Sequence, residues 1–294
     1  MDIYDEIVKL RKEGRRGCVA TIVSVRGSVP SFQTAKMLVR DDGSIVGTIG
    51  GGCVEAEVWQ AAQDVMVSEK PTTLSFDLNE SPKYDTGLIC GGSLDIFIEP
   101  ILPASNLLIF GAGHIAYSLS KVANSAGFET TVIDDREMYA NAERYPAPTK
   151  VIAGEFATVF PTLQVNDFTY IVIVTRGHHD DMHILRWAVE TRARYIGMVG
   201  SKRKAIEIFR ELTGEGAKAE LFDRVHSPIG LDIGAITPEE IAISILAQLI
   251  AIRRNVEREL PHMSWFHSGR HLKAAAVEAE PDAAQADDEA CTTG

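Results

Sequence analysis

Leu107-Leu108-Ile109-Phe110-Gly111-Ala112-Gly113-His114-Ile115-Ala116 is the stretch on which the fold turns. Four apolar residues in a row read as a buried strand, and the glycines directly after it read as a tight turn into a helix over Tyr117–Ala126. In such a turn Gly111 makes the bend, Gly113 lets an anion approach the backbone, and Ala116 is the small third position where strand and helix pack. The first turn of the helix leaves N–H groups without intrahelical partners, a setting suited to phosphate. Asp134-Asp135 close the next apolar run, about 20 residues on, where an acid would receive ribose hydroxyls. His114 stands beside the phosphate position, and either a hydrogen bond to phosphate or a helix-capping role suits it.

Working outward, strands are expected at Asn106–Phe110, Thr130–Ile133, Lys150–Ala153, Tyr170–Thr175 and Tyr195–Met198, with helices between them and a long apolar helix over Glu239–Arg253. This alternation predicts a Rossmann-like, doubly wound parallel sheet for residues 103–262. Upstream the pattern changes. Residues 2–13 place Ile3, Ile7, Val8 and Leu10 on one helical face, and Gly17–Val25 is rich in β-branched residues. Lys36–Arg40 and Ser44–Thr48 flank Asp41-Asp42-Gly43, a hairpin signal. A helix over Val54–Met66 and strands at Thr72–Asp77 and Leu94–Glu99 complete an α+β domain, residues 1–102, with Pro100–Ser105 as the linker. Residues 263–294 form an Ala-, Glu- and Asp-rich segment, most marked from Ser268, and read as a disordered acidic tail.

The chain has 294 residues, 45% of them hydrophobic and 24% charged, which suits a globular protein with room for two cores. Its net charge of −12 and lack of a dominant basic patch argue against a nucleic-acid partner. The N-terminus carries acidic residues and no long apolar core, so it does not read as a signal peptide, and no apolar run is long enough to span a membrane. Cys18, Cys53, Cys90 and Cys291 are widely spaced and form no CxxC pair, so the expectation is a cytoplasmic protein with free thiols.

Two glycine-cysteine clusters ask for more than a dinucleotide fold. Gly50-Gly51-Gly52-Cys53 opens the predicted helix, so its N–H groups can form a nest for an anion, and the helix dipole would favour a thiolate at Cys53. A small thiol filling space is the plainer reading. Cys90-Gly91-Gly92 has the same pair of readings. Glu55, one turn into the helix, suits its positive end. Lys36 could meet a phosphate or be a solvated strand lysine. Thr175-Arg176-Gly177-His178-His179-Asp180-Asp181-Met182-His183 ends one strand and opens a helix. His179, His183 and Asp180 could approach a metal, although Asp180 as helix N-cap with hydrated imidazoles is the favoured reading.

These motifs together resemble the XdhC/CoxI family, accessory factors of molybdenum hydroxylases such as xanthine dehydrogenase. The resemblance runs over roughly residues 5–255. It rests on Gly27-Ser-Val-Pro30, Ala35-Lys36-Met37, Gly47-Thr-Ile-Gly-Gly-Gly52, Glu55, Cys90-Gly-Gly92, Gly111-Ala-Gly-His114, Asp134-Asp135-Arg136, Thr175-Arg-Gly-His178, Gly200-Ser-Lys, His226–Gly234 and Thr237–Ala242. Ser31-Phe32-Gln33-Thr34 departs from the family pattern of Arg after the proline and Gly before Ala-Lys-Met. The resemblance implies a chaperone that binds molybdenum cofactor (molybdopterin), shelters it during sulfuration by a cysteine desulfurase, and delivers it to the hydroxylase apoenzyme. It also implies a homodimer. The expected cofactor-binding residues are Lys36, Gly50, Gly51, Gly52, Cys53, Glu55, Cys90, Gly91 and Gly92 from the first domain, and Gly111, Gly113, His114 and Asp134 from the second, with the cofactor between the domains. The alternative is an NAD(P)-dependent oxidoreductase. No Tyr-Lys or His-Asp catalytic pair stands out to support it.

Overall fold

The computed structural model describes residues 2–29, 31–78 and 92–256. Cys90, Gly91 and the acidic segment 263–294 lie outside the described residues. The chain divides into a unit over Met1–Leu249, which holds two sheets, and a unit over Ile250–Gly294.

The first sheet is antiparallel. Helix α1 (Ile3–Lys12) precedes β1 (Gly17–Gly27), β2 (Lys36–Arg40) and β3 (Ile45–Gly47); α2 (Gly52–Ser68), β4 (Thr72–Asp77) and β5 (Gly92–Ile101) follow. The strand order is β3-β2-β1-β5-β4. Alternation along the strands turns Cys18, Ala20, Ile22, Met37, Val39, Ile96 and Ile98 to one face, where they form a core with Val58, Ala62, Val65 and Met66 of α2. Leu10 of α1 is buried on the other face, beside Gly17 and Leu38. The Asp2 carboxylate caps α1 by accepting from the Tyr4 N–H at 2.9 Å.

The second sheet is parallel throughout. Its elements are β6 (Ser105–Phe110), α3 (His114–Ser125), β7 (Phe128–Asp134), β8 (Lys150–Ala153), α4 (Phe156–Val159), β9 (Thr169–Ile173), α5 (His178–Val189), β10 (Tyr195–Met198), α6 (Lys202–Gly214), β11 (Val225–His226) and α7 (Pro238–Arg253). The order β11-β10-β9-β6-β7-β8 is that of a doubly wound dinucleotide fold, and it reverses between β6 and β9, the switch point where such sheets bind ligands. Phe110, Ile171, Ile173, Ile184, Leu185, Ile196 and Met198 lie in its main core.

Two local expectations change. Pro100 and Ile101 pair with Cys18 and Gly17 as part of β5, so the connection to β6 shrinks to Leu102–Ala104. Helix α5 starts at His178 with Gly177 as its N-cap, so Asp180 lies in the first turn and is not the cap.

The two sheets meet foot to foot. Arg194, just before β10, grips the Glu69 carboxylate at the C-terminal end of α2 through both terminal nitrogens, at 2.8 and 3.0 Å. Arg16, just before β1, reaches Asp167 at 2.7 Å and lies over the Phe168 ring, 5.3 Å from its centroid. The Asn166 amide donates to the Gly14 carbonyl at 3.2 Å. Asn166, Asp167, Phe168 and Arg194 all precede their parallel strands. The first sheet therefore docks at the end of the second sheet remote from Gly111–Gly113.

Candidate functional site

The docking fixes where the two glycine turns lie. The Gly50–Gly52 turn opens α2, whose other end is the Glu69 foot, about 25 Å away along the helix axis. The Gly111–Gly113 turn closes β6, about 17 Å along the strand from its own foot. One chain thus carries each turn at a pole of its own sheet, remote from that contact. These contacts between the sheets are made by the ends that bear neither turn.

At the first pole the antiparallel register gathers the ends of several strands. Gly27 pairs with Gly92, and Met37 with Gly47. A Cβ on Gly92 would come within 2.5 Å of the Arg26 carbonyl oxygen and 2.9 Å of Val29, so the start of β5 is pressed against the Gly27–Val29 turn. Gly50, Gly51 and Gly52 all take positive φ (124°, 80° and 67°), which a side chain would resist.

This turn supplies its own anion. Oε1 of Glu55 accepts from the Thr48 hydroxyl at 2.5 Å and from the Ile49 and Gly51 N–H groups at 3.0 Å each. Burial pushes the Glu55 carboxyl up, but hydrogen bonds from Thr48, Ile49, Gly51 and Gly50 outweigh it and hold the group below the usual carboxylate range. The expected anion nest is therefore partly filled by the chain itself. What stays open is the first turn of α2: Gly52, Cys53 and Val54 have no intrahelical acceptors for their N–H groups, and a Cβ on Gly51 would meet nothing within 4 Å. The Cys53 thiol is exposed there. Cys18, by contrast, is buried and donates to the Ala62 carbonyl at 3.2 Å, and burial pushes its thiol up to about 12, which makes it inert. Lys36 sits at the same pole, but on the sheet face opposite Met37 and α2, where its ammonium donates to the Thr21 hydroxyl at 3.0 Å.

At the second pole Gly111 has φ 104°, and a Cβ there would lie 2.5 Å from the Val174 carbonyl oxygen, so β6 and β9 close tightly at the switch point. Gly113 is the N-cap of α3 with no side-chain cap, and the space beside it is open. His114 is the exposed first residue of α3. Asp134 is buried and saturated. Oδ1 accepts from the Arg136 N–H at 3.0 Å and Nε at 2.8 Å; Oδ2 accepts from the Ala112 N–H at 2.7 Å and Arg136 Nη2 at 2.8 Å. Burial raises the Asp134 carboxyl, but these donors overcome it and leave the group well below the usual range. Asp135 moves the other way, through its own burial and the adjacent Asp134, while Arg176 pairs with it at 3.1 Å.

Sequence reasoning passed over the residues that surround this turn. Tyr145, in the segment after β7, is buried and its hydroxyl points to the Gly113 carbonyl at 3.4 Å. Arg144 lies among the rings of Tyr117, Tyr139 and Tyr145, and Lys121 of α3 lies over Tyr117. Tyr139, Arg144 and Tyr145 sit in an irregular segment, where no hydrophobic period marks them; the only local signal is the density of Tyr and Arg. Asp181 was likewise missed: fully buried, it accepts from the Thr175 hydroxyl at 2.5 Å and from Lys204, tying α5 to α6 beside Gly200.

The histidines do not converge. His178 lies 3.6 Å from Glu211, His179 is exposed beside Asp180, and the His183 ring packs on Phe160 at 5.4 Å. Among the described residues no group of three or more His, Cys, Asp and Glu side chains is placed to hold a metal ion. No helix among them is long and apolar enough to cross a membrane.

Fold and turns together define a two-part α/β protein whose second half is a dinucleotide-type sheet and whose first half presents a glycine-framed thiol. Residues 107–249 match the XdhC Rossmann domain and residues 10–77 match the XdhC and CoxI family, and the chain belongs to that family. It is 33% identical over 92% of its length to the uncharacterized protein YqeB of Escherichia coli, and spans half the length of that relative. It is 23% identical to a probable xanthine dehydrogenase subunit from Bacillus subtilis, covering 84% of this chain and 96% of that one. It is 24% identical to the molybdenum cofactor insertion chaperone PaoD of Escherichia coli, over 86% and 88% of the two chains. A solved structure described as a xanthine dehydrogenase from Bacillus halodurans is 25% identical, with a TM-score of 0.48 over 90% of this chain and 99% of that one.

Proposed function

We propose that this protein is an accessory chaperone that binds molybdenum cofactor, protects it, supports its sulfuration by a cysteine desulfurase and delivers it to a molybdenum hydroxylase such as xanthine dehydrogenase. The observation that carries the reading is the first pole: an exposed thiol, Cys53, on a helix N-terminus framed by three left-handed glycines, with the Gly27–Val29 turn and the start of β5 alongside. A soft sulfur beside free N–H donors suits a ligand that joins a thiophilic metal to a phosphate. When bound, the cofactor supplies the metal centre with its dithiolene. Cys53 would approach that centre, the N–H groups of Gly52, Cys53 and Val54 would receive the phosphate, and Glu55 would hold the turn in shape. Gly92, the first residue of β5, is assigned to the same site, and Cys90 and Gly91, from their sequence motif, with it. Lys36 is assigned here as a further positive charge, carried at the start of β2. In this reading the protein is a cytoplasmic homodimer and its partners are the hydroxylase apoenzyme and the desulfurase.

The test is to purify the full chain from cells that make the cofactor and to measure bound pterin and molybdenum. Retention is expected in the parent protein, with a clear fall in Cys53→Ala and Cys90→Ala. A parent protein free of pterin would overturn the chaperone reading. Full retention and full hydroxylase activation in both variants would remove the thiols from it.

A second reading is favoured by the open, uncapped turn at Gly113. There Gly111, Gly113 and His114 hold the pyrophosphate of NAD(P), and the protein acts as an oxidoreductase on a small molecule or on the cofactor. Hydride transfer from NAD(P)H to an acceptor tests it.

A further inference from the structure

Two cations beside the Gly113 turn have no carboxylate partner among the described residues. Lys121 Nζ lies 4.0 Å from the centroid of the Tyr117 ring and donates to its hydroxyl at 2.7 Å. The Arg144 guanidinium lies 5.4 Å from the same ring, and 5.6 and 5.9 Å from those of Tyr139 and Tyr145. Neither is within ion-pair distance of a carboxylate among the described residues. The Nε of Arg144 is buried and finds no hydrogen-bond acceptor among them. The guanidinium meets the Tyr145 hydroxyl through another nitrogen, but a buried N–H of a charged group without an acceptor is costly, and two like charges near one ring add repulsion.

The neighbouring acids are already committed. Asp134 receives four hydrogen bonds, which fill the roughly four lone-pair positions of a carboxylate, so it has no place left for a ribose diol. Asp135 is paired with Arg176. In a sheet of this topology the residue after the second strand selects the ribose: an open acid takes a 2′-hydroxyl, and a nearby arginine takes a 2′-phosphate. Here the acid is closed and the arginine has no carboxylate partner.

We infer that the parallel-sheet half carries a subsite for a phosphate monoester on the ribose of a bound nucleotide, formed by Arg144 and Lys121 where both lie against the Tyr117 ring, and that it takes 2′-phosphorylated adenine nucleotides in preference to those bearing a free 2′-hydroxyl. Arg136 acts as a positioning residue: it saturates Asp134 and, stacked 4.2 Å from the Tyr139 ring centroid, orders the segment that carries Arg144. Tyr145 ties that segment to the phosphate turn. The subsite rests on nucleotide binding at Gly111–Gly113 and is independent of the molybdenum reading at the other pole.

Calorimetric titration of the full chain with 2′,5′-ADP, ADP, 5′-AMP and inorganic phosphate tests it. The expected result is at least tenfold tighter binding of 2′,5′-ADP than of 5′-AMP or ADP, weakened by added salt. Arg144→Gln and Lys121→Gln should each cut that preference, with 5′-AMP binding unchanged; Lys121 is exposed, so its variant keeps the fold intact should Arg144→Gln not. Equal affinity for 2′,5′-ADP and 5′-AMP would overturn the subsite while leaving nucleotide binding in place. No binding of any nucleotide would overturn both. Binding of inorganic phosphate as tight as that of 2′,5′-ADP would reduce the patch to a simple anion trap and also overturn the assignment. So would a preference that survives both substitutions.

Discussion

The two glycine turns look alike in sequence and differ in how their charge is completed. The Gly50–Gly52 turn brings a carboxylate with it: Glu55 folds back and takes the N–H groups of Ile49 and Gly51. The Gly111–Gly113 turn spends only the Ala112 N–H on an internal carboxylate, and Lys121 and Arg144 stand near it with no carboxylate partner among the described residues. Glycine content alone says that a backbone can bend or be approached. Which atoms then fill the space depends on a side chain one helical turn away in the first case, and on a separate strand and loop in the second. A turn that neutralises itself suits presentation of a thiol; one that leaves positive charge over suits capture of an anion.

The largest effect should come from Gly111→Ala. Its Cβ would collide with the Val174 carbonyl, which cannot yield as a side chain can, and φ would remain in the left-handed region. Strain and overpacking together should cost about 2–6 kcal/mol, read as a lower denaturation midpoint. Gly51→Ala is the matched change at the other turn. It has the same backbone objection but open space, so a loss of about 1–2 kcal/mol is expected. Equal losses would show that close strand packing does not separate the two turns.

Asp134→Asn comes next. It removes the charge that Arg136 and Ala112 share, and a loss of about 2–3 kcal/mol is expected in chemical denaturation. Glu55→Ala should cost about 1–3 kcal/mol, with faster amide exchange at Ile49 and Gly51 and none of the change reaching Ala112. Exchange that quickens at both turns would mean that they are coupled through the foot.

The smallest effect is the response to acid. Both carboxyls sit below their unfolded values, so each contributes stability that is fully present above the unfolded pKa and is lost as pH falls through the folded one. For Asp134 the loss should begin near pH 4 and run down to about 2. For Glu55 it begins below about 4.5. Amide exchange followed down a pH series at Ala112 and Gly51 checks both, and protection that rises on acidification would contradict the assignments.

Much of this architecture was legible because its signals are local. An apolar run over Leu107–Phe110 ending in Gly111 can hardly be other than a strand entering a tight turn, and strand-helix alternation then dictates a parallel sheet. The family resemblance was equally readable, since its motifs recur in order. What was not legible depends on partners remote in sequence. Arg194 finds Glu69 and Arg16 finds Asp167 across more than a hundred residues, and those pairs decide that the domains meet at their feet. The linker was misjudged because Pro100 and Ile101 look like a break but lie opposite β1, where pairing overrides a proline's usual preference. Asp134 was legible as an acid in the right place; that it is already saturated follows from the Arg136 rotamer, which a sequence does not specify.

Helix α2 has one further consequence. It is clamped at its last residues by Glu69 and Arg194 and bears the Cys53 thiol at its first. A clamped rod of that length is a lever: a tilt of only about ten degrees at the pivot would sweep the sulfur through about 4 Å. The salt bridge at the base and the packed face of the rod together set the reach of the tip, so shortening Glu69 to aspartate removes one of the two restraints on an atom it never touches.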